Sequence, residues 1–201
     1  MTKAMSKSIR TRERVLDAAA RVFAESGYAN ARLSDIAEGA GIQTGSLYYH
    51  FDSRESLVVE VLQIGLERAM VAVQEALAES HDLGAAGQFR AALRAHVVAV
   101  LDSGHYVAAQ ARSVGQVPPE IRQMHLADQK RYGQLWDRLY KALEHEGLLH
   151  EGADRFALRM LAFGALNWTV EWQNSTRLTR TAIVDQAVDF VFRATVISNS
   201  D

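Results

Sequence analysis

The chain has two prolines in 201 residues, and they are adjacent, Pro118 and Pro119. Interior proline costs a helix about 3 kcal/mol, so a chain this free of it is open to long, uninterrupted helices. The apolar pattern uses that freedom. Between Arg12 and Ser26, the residues Val15, Leu16, Ala19, Val22 and Phe23 share one helical face, and Gly27 follows as a left-handed stop. Helical periods continue over 33–40, 44–49, 53–79, 88–103, 105–114, 119–146, 154–175 and 179–198. Asp52 with Glu55 three residues on has the capping-box form. The two prolines fit the first turn of the 119–146 helix, and Asp154 and Thr179 read as N-caps. No alternating strand pattern and no internal repeat is present. The expected fold is all-α with about nine helices, the first three short and close together.

Composition removes whole classes of function. Hydrophobic residues are 48 % and charged residues 23 %, the proportions of a globular protein, and cysteine is absent. Disulfides, cysteine–zinc sites, iron–sulfur clusters and thiol nucleophiles are therefore excluded, and a reducing cytoplasm is the expected location. The start, MTKAMSKSIRTRERV, lacks the apolar stretch of a signal peptide. The most apolar window, 160–166, is far shorter than the ~20 residues of a membrane span, so no membrane partner is expected. Net charge is −2, but residues 1–14 carry Lys3, Lys7, Arg10, Arg12 and Arg14 against Glu13, a net of +4 that leaves −6 for the rest. A basic arm on an acidic body suits a nucleic-acid partner.

Residues 33–51 read LSDIAEGAGIQTGSLYYHF. Two short helices joined by a tight glycine turn form a helix-turn-helix. Ala37 is small enough for the helices to cross, Gly41 supplies the turn, and Ile42 and Leu47 plug the space between them. The second helix then enters the major groove by its N-terminal side chains. Gln43, Thr44 and Ser46 are short polar readers of bases or phosphates. Gly45 lets the backbone approach the duplex. Tyr48, Tyr49 and His50 reach toward flanking sugar-phosphate, and Arg32 and Arg54 toward phosphates. Leu47 and Phe51 read as core.

These residues resemble the TetR family of transcriptional regulators. The resemblance rests on 12–57: FAESGY closing the first helix, DIAEGAGIQTGSLYYHF, and the Ser53–Leu57 start of the next. It implies a DNA-binding head, placed at 1–52, and a helical ligand-binding and dimerisation domain at 53–201. It also implies a homodimer on a palindromic operator, usually a repressor that leaves DNA when its ligand binds. Three positions depart from the family pattern. Arg32 stands where a capping Thr is frequent, Thr44 where a Lys is frequent, and the basic residue after Phe51 is delayed to Arg54. They alter base preference rather than fold.

The C-terminal body is rich in aromatic residues, which serve helix packing as readily as ligand binding. The stretch 158–172, LRMLAFGALNWTVEW, is apolar almost all round, as a helix buried on two sides would be. Asn167 within it needs a polar partner, from a side chain or a ligand. Residues 116–172 are similar to regulators of lipid or sterol catabolism, whose effectors are acyl-CoA thioesters or related apolar molecules. That resemblance implies an apolar tunnel from Leu93, Val97, Val100, Trp136, Leu139 and Phe163, with Arg112, Arg131, Asn167 and Trp168 at its mouth. A sensor of drugs or toxic apolar compounds beside an efflux gene is the alternative. The homodimer is expected through the helices near 154–175 and 179–198, where Ile183, Ala187, Phe190, Val191 and Ala194 form a stripe. The seven histidines show no HExxH or i, i+4 pair, so no metal, no cofactor and no catalytic residue is expected, and the chain reads as a non-enzyme.

Overall fold

The structure, a computed structural model, describes residues 3–150 and 152–197, with side chains from Lys7 onward. The side chain of Lys3 and the helix end expected at 198 lie outside the described residues. Nine α-helices follow in order among them: α1 Lys3–Asn30, α2 Leu33–Gly39, α3 Thr44–Leu47, α4 Arg54–Glu79, α5 Ala85–Asp102, α6 Gly104–Ser113, α7 Pro119–His145, α8 Arg155–Trp172 and α9 Arg180–Thr195. The one β feature among the described residues is an isolated bridge pairing Leu149 with Val196. No helix of these residues is long and apolar enough to cross a membrane.

Three local expectations are corrected. The basic segment is no separate arm, because α1 begins at Lys3 rather than near Arg12. No proline or glycine interrupts it before Gly27, and the Lys, Arg, Met and Ala there are strong helix formers. The recognition helix is four residues long, since Tyr49 and His50 donate backbone bonds to the carbonyls three residues back, on Ser46 and Leu47. This tightening carries Phe51 into the core. The cap of α4 is Ser53, not Asp52. Ser53 Oγ accepts from Ser56 N at 3.0 Å, and Ser56 Oγ accepts from Ser53 N at 3.2 Å. Ser56 thereby takes the role expected of Glu55, whose carboxylate is engaged elsewhere.

Backbone packing groups the chain into two compact units, 1–66 with 104–128 and 67–103 with 129–201. This cut differs from the expected 52/53 boundary because α6 packs on α1 and the start of α7 joins the same core through Ile121. In the first unit one core joins Val15, Ala19 and Phe23 of α1, Ile36 and Ala37 of α2, Leu47 of α3, Leu57, Val58 and Val61 of α4, Tyr106 of α6 and Ile121 of α7. Side chains from α6 and the loop after it grip α1: Tyr106 donates to Asp17 at 2.7 Å, Arg112 to the Glu25 carbonyl at 2.9 Å, and the Ala29 amide donates to Gln116 Oε1 at 2.9 Å. In the second unit Phe89, Leu93, Val97, Trp136, Tyr140, Leu143, Leu166 and Val188 are buried. Exposed pairs Arg90–Asp189, Arg94–Asp185 and Arg180–Asp102 lace α5 to α9 and its start. Gly84 offers no side-chain cap to α5, and Glu146 accepts from Ala85 N instead, at 3.0 Å.

Candidate nucleic-acid interface and effector site

The helix-turn-helix is assembled around two buried residues. Ala37 is buried where α2 and α3 cross, and Leu47 is fully buried beneath α3. Gly41 between them holds φ at +66°, a conformation costly to residues bearing a Cβ. Anchoring α3 by Leu47 turns its other side outward. Gln43, Thr44, Gly45 and Ser46 are all exposed, and the space over Gly45 is open. Tyr48 is exposed and Tyr49 is 91 % exposed, while His50 is half-buried. Arg32 is exposed at the N-cap of α2, where its side chain caps nothing. Arg14 of α1 reaches the turn, with Nη1 4.0 Å from the position a Cβ would take at Gly41. The predicted contacts on α3 and Arg32 are thus exposed, whereas Arg54 of the predicted set, and Arg12 of the basic segment, are engaged within the head. Arg54 lies over the Tyr28 ring at 4.2 Å and donates to the Tyr28 carbonyl. Arg12 pairs with Glu60 and covers the Phe51 ring. Both cations brace the head itself. The Tyr28 hydroxyl donates to Glu55 at 2.6 Å, and this bond holds the Glu55 carboxyl below its ordinary range.

The second unit contains a ring cage of His96, Tyr132, Trp136 and Phe163, with centroids 5.2 to 6.1 Å apart. A polar relay runs through it. His96 Nε2 is 3.0 Å from Asn167 Oδ1, and Nδ1 is 2.8 Å from the Tyr132 hydroxyl. Because Asn167 presents its oxygen, Nε2 carries the proton and donates. In the neutral imidazole Nδ1 then accepts, and Tyr132 O–H donates to it. Burial drives the His96 pKa down to about 4 and pushes the Tyr132 phenol up, so both are neutral at pH 7. The buried Trp136 indole N–H is directed at the Tyr132 oxygen and the buried Tyr140 hydroxyl is paired with Thr195, both with looser geometry than the His96 bonds.

Comparison with known proteins agrees with both halves. The signature described as "Bacterial regulatory proteins, tetR family" matches residues 15–61, and the "Tetracyclin repressor-like, C-terminal domain" matches 82–195. The chain belongs to the TetR family. It is a helix-turn-helix transcriptional regulator, not an enzyme. It is 34 % identical over 167 residues to the HTH-type transcriptional repressor KstR2 of Rhodococcus jostii, covering 78 % of each chain. The fold is shared with the ketosteroid transcriptional regulator KstR2 of Mycobacterium tuberculosis, with a TM-score of 0.80, 22 % identity and coverage of 93 % and 95 %. It is also shared with AibR, solved with isovaleryl coenzyme A and operator DNA, with a TM-score of 0.74, 22 % identity and coverage of 90 % and 98 %.

In this TetR-family body the sequence-predicted effector residues divide. Leu93, Val97, Val100, Trp136 and Leu139 are buried, and Phe163 and Asn167 are half-buried. Trp136, Phe163 and Asn167 meet in the cage or its relay. Leu139 also lines a groove of ≈ 320 Å³ with Gln74, Leu77, Gln88, Leu135, Arg138 and Ala142. Three expected mouth residues are placed elsewhere. Arg112 belongs to the first unit, Arg131 is exposed, and Trp168 is 63 % exposed, one residue and about 100° round α8 from Asn167. His96 and Tyr132 were not among the expected site residues. The signal available was a histidine at a core position of an apolar helix, and it carried no motif.

Proposed function

We propose that this regulator is a homodimeric repressor of a two-fold symmetric operator, released by an acyl-CoA-like effector held in its second unit. The operator places the working molecule in the cytoplasm. The observation that carries the DNA half is the exposed row Gln43, Thr44, Gly45 and Ser46 standing on buried Leu47. Exposed Tyr48 and Tyr49 extend that row toward sugar-phosphate, with Arg32 and Arg14 beside it. Half-buried His50 and the braced Arg54 are flanking contacts.

The dimer half rests on α8 and α9. Phe156, Met160, Leu161 and Trp168 of α8 and Phe190 of α9 are large apolar side chains left exposed. The expected stripe is corrected in part, because Ile183 and Val191 face the core of their own unit. The effector half draws support from KstR2, a repressor whose Mycobacterium tuberculosis form is described as a ketosteroid regulator, and from AibR with its coenzyme A thioester. Leu93, Val97, Val100, Leu139 and Phe163 supply the apolar lining in this reading. A ligand favouring the off-DNA state shifts the equilibrium by its differential affinity, and tilting of α4 is the proposed route to the head.

Fluorescence anisotropy on DNA from upstream of the gene tests this. Binding is expected with a dimer stoichiometry, steeply weakened by salt, and reversed by acyl-CoA thioesters. Replacing Gln43 or Thr44 by Ala is expected to weaken the specific site about tenfold, with little effect on random DNA. Equal losses on both DNAs would contradict the assignment of these residues as base readers. Release by drug-like dyes but not by acyl-CoAs would contradict the effector class.

A further inference from the structure

The first unit holds a buried histidine of its own, and neither of its ring nitrogens has a protein partner. His125 of α7 is 3 % exposed, and Nδ1 and Nε2 both lack a hydrogen bond among the described residues. It lies beside a cleft of ≈ 10 Å³ between α7 and the first half of α4, lined also by Val59, Leu62 and Gln63 of α4 and by Ile121 and Asp128 of α7. That is room for about one water molecule and not for a bound small molecule. Asp128, one turn along α7, is the charged residue of that lining. Its charge favours the imidazolium, but burial disfavours it more and holds the ring below its ordinary pKa. Charged groups on the other elements of this core are bound or turned outward. Asp17 of α1 accepts from Tyr106, Glu60 of α4 pairs with Arg12, Arg112 of α6 holds the Glu25 carbonyl, and His105 of α6 is exposed.

We propose that His125 is a proton-sensitive latch: as a neutral ring it lets α7 pack on α4, and as an imidazolium it parts the two helices and weakens operator binding. An imidazolium has two N–H donors to place, and Val59, Leu62 and Ile121 offer no acceptor. A buried charge without full pairing is costly, and opening the α4–α7 contact returns it to water. The closed contact is therefore favoured while the ring is neutral. It is lost as pH falls below 6.5, the ordinary histidine value, because the open form binds the proton more readily. α4 carries the effect to the head. Its Leu57, Val58 and Val61 share one core with Leu47, the residue on which the recognition helix stands. Displacing α4 from α7 disturbs that support, and a proton thereby acts in the direction proposed for the effector.

This inference rests on the operator reading of α3 and not on the effector. The test is anisotropy on the upstream DNA from about pH 7.5 to 5.5 at constant ionic strength, with H125L and D128N beside the wild type. Wild-type affinity is expected to fall about fivefold more than that of H125L over this interval. Protonation of His50 at the DNA surface occurs in both chains and cancels from the comparison. D128N removes the charge that favours the imidazolium, so its loss of affinity is expected at lower pH. Hydrogen exchange read by mass spectrometry, compared between chains at equal pH, follows the contact itself. Peptides covering 57–66 and 119–128 are expected to exchange faster in the wild type than in H125L at pH 5.5. Circular dichroism establishes that each chain is folded at each pH. Equal pH profiles and equal exchange in the wild type and folded H125L overturn the latch while leaving the operator reading intact. Should H125L fail to fold, a D128N profile identical to the wild type overturns it. Absence of wild-type binding at every pH overturns the operator reading and the coupling to it, and the exchange comparison then decides whether His125 opens the contact.

Discussion

Between pH 6.5 and 4 the His96 imidazole gains a proton far more readily in the unfolded chain than in the folded one. Its ordinary pKa is 6.5 and burial lowers it to about 4. The unfolded state binds more protons in that interval, so stability is full above 6.5 and is lost as pH falls toward 4. A difference of that size is worth on the order of 3 kcal/mol. His125, also buried and held below its ordinary value by burial, adds the same sign. Urea melts at pH 7 and pH 5 are therefore expected to show wild-type stability falling with acid and H96F falling less, though not to zero slope. Identical slopes would mean that His96 is not buried as a neutral ring. The sequence showed that Asn167 needed a partner. It could not name His96, because the hydrogen bond joins residues 71 apart whose meeting is fixed by helix packing alone.

Helix ends show where local reading succeeds and where it stops. Asp154 and Thr179 were legible as N-caps, and their side chains accept from Ala157 and Ala182 as the spacing implies. At α4 the same reasoning chose Asp52 and Glu55, but Tyr28 takes the Glu55 carboxylate and the cap moves to Ser53. S53A is accordingly expected to cost about 1 kcal/mol in chemical denaturation and D52A close to nothing. A reversed order would restore the Asp52 cap. The kink at Gly27 near the end of α1 makes a second case. Gly27 holds φ at +72°, and a Cβ there would sit 2.6 Å from the Gln116 amide that accepts from Ala29 N. G27A is expected to cost about 1–3 kcal/mol through strain and displacement of Gln116. Q116A is expected to cost about 1 kcal/mol. Combined, they should cost less than their sum, because Q116A removes the atoms the methyl group strikes. Strict additivity would separate the two residues. Gly27 was legible as a stop, whereas the glutamine that requires its bareness lies beyond α6 and left no local trace.

At the scale of the molecule, the charge division and the exposed apolar face require one another. A basic segment beside a single recognition helix gives phosphate affinity, but one helix reads one half-site. Two copies are needed to place recognition helices about 34 Å apart, one turn of duplex. The surface we propose for that pairing is α8, where Leu161 is 72 % exposed and Trp168 63 %, with Phe190 of α9 at 67 %. Large apolar side chains left exposed on one helix are the kind of patch that association surfaces use. In a two-fold dimer each residue of the patch meets the same patch on the partner, so one substitution acts twice. L161E combined with W168E is expected to give a folded monomer by light scattering at micromolar concentration. The same variant should keep salt-sensitive binding to random DNA, since Lys7, Arg14 and α3 are untouched. Its preference for a palindromic site over a half-site should be lost, because two linked contacts become one. If the double variant stayed dimeric, the pairing surface would lie off α8. If it became monomeric yet still preferred the palindrome, the pairing of heads would have to come from the DNA itself.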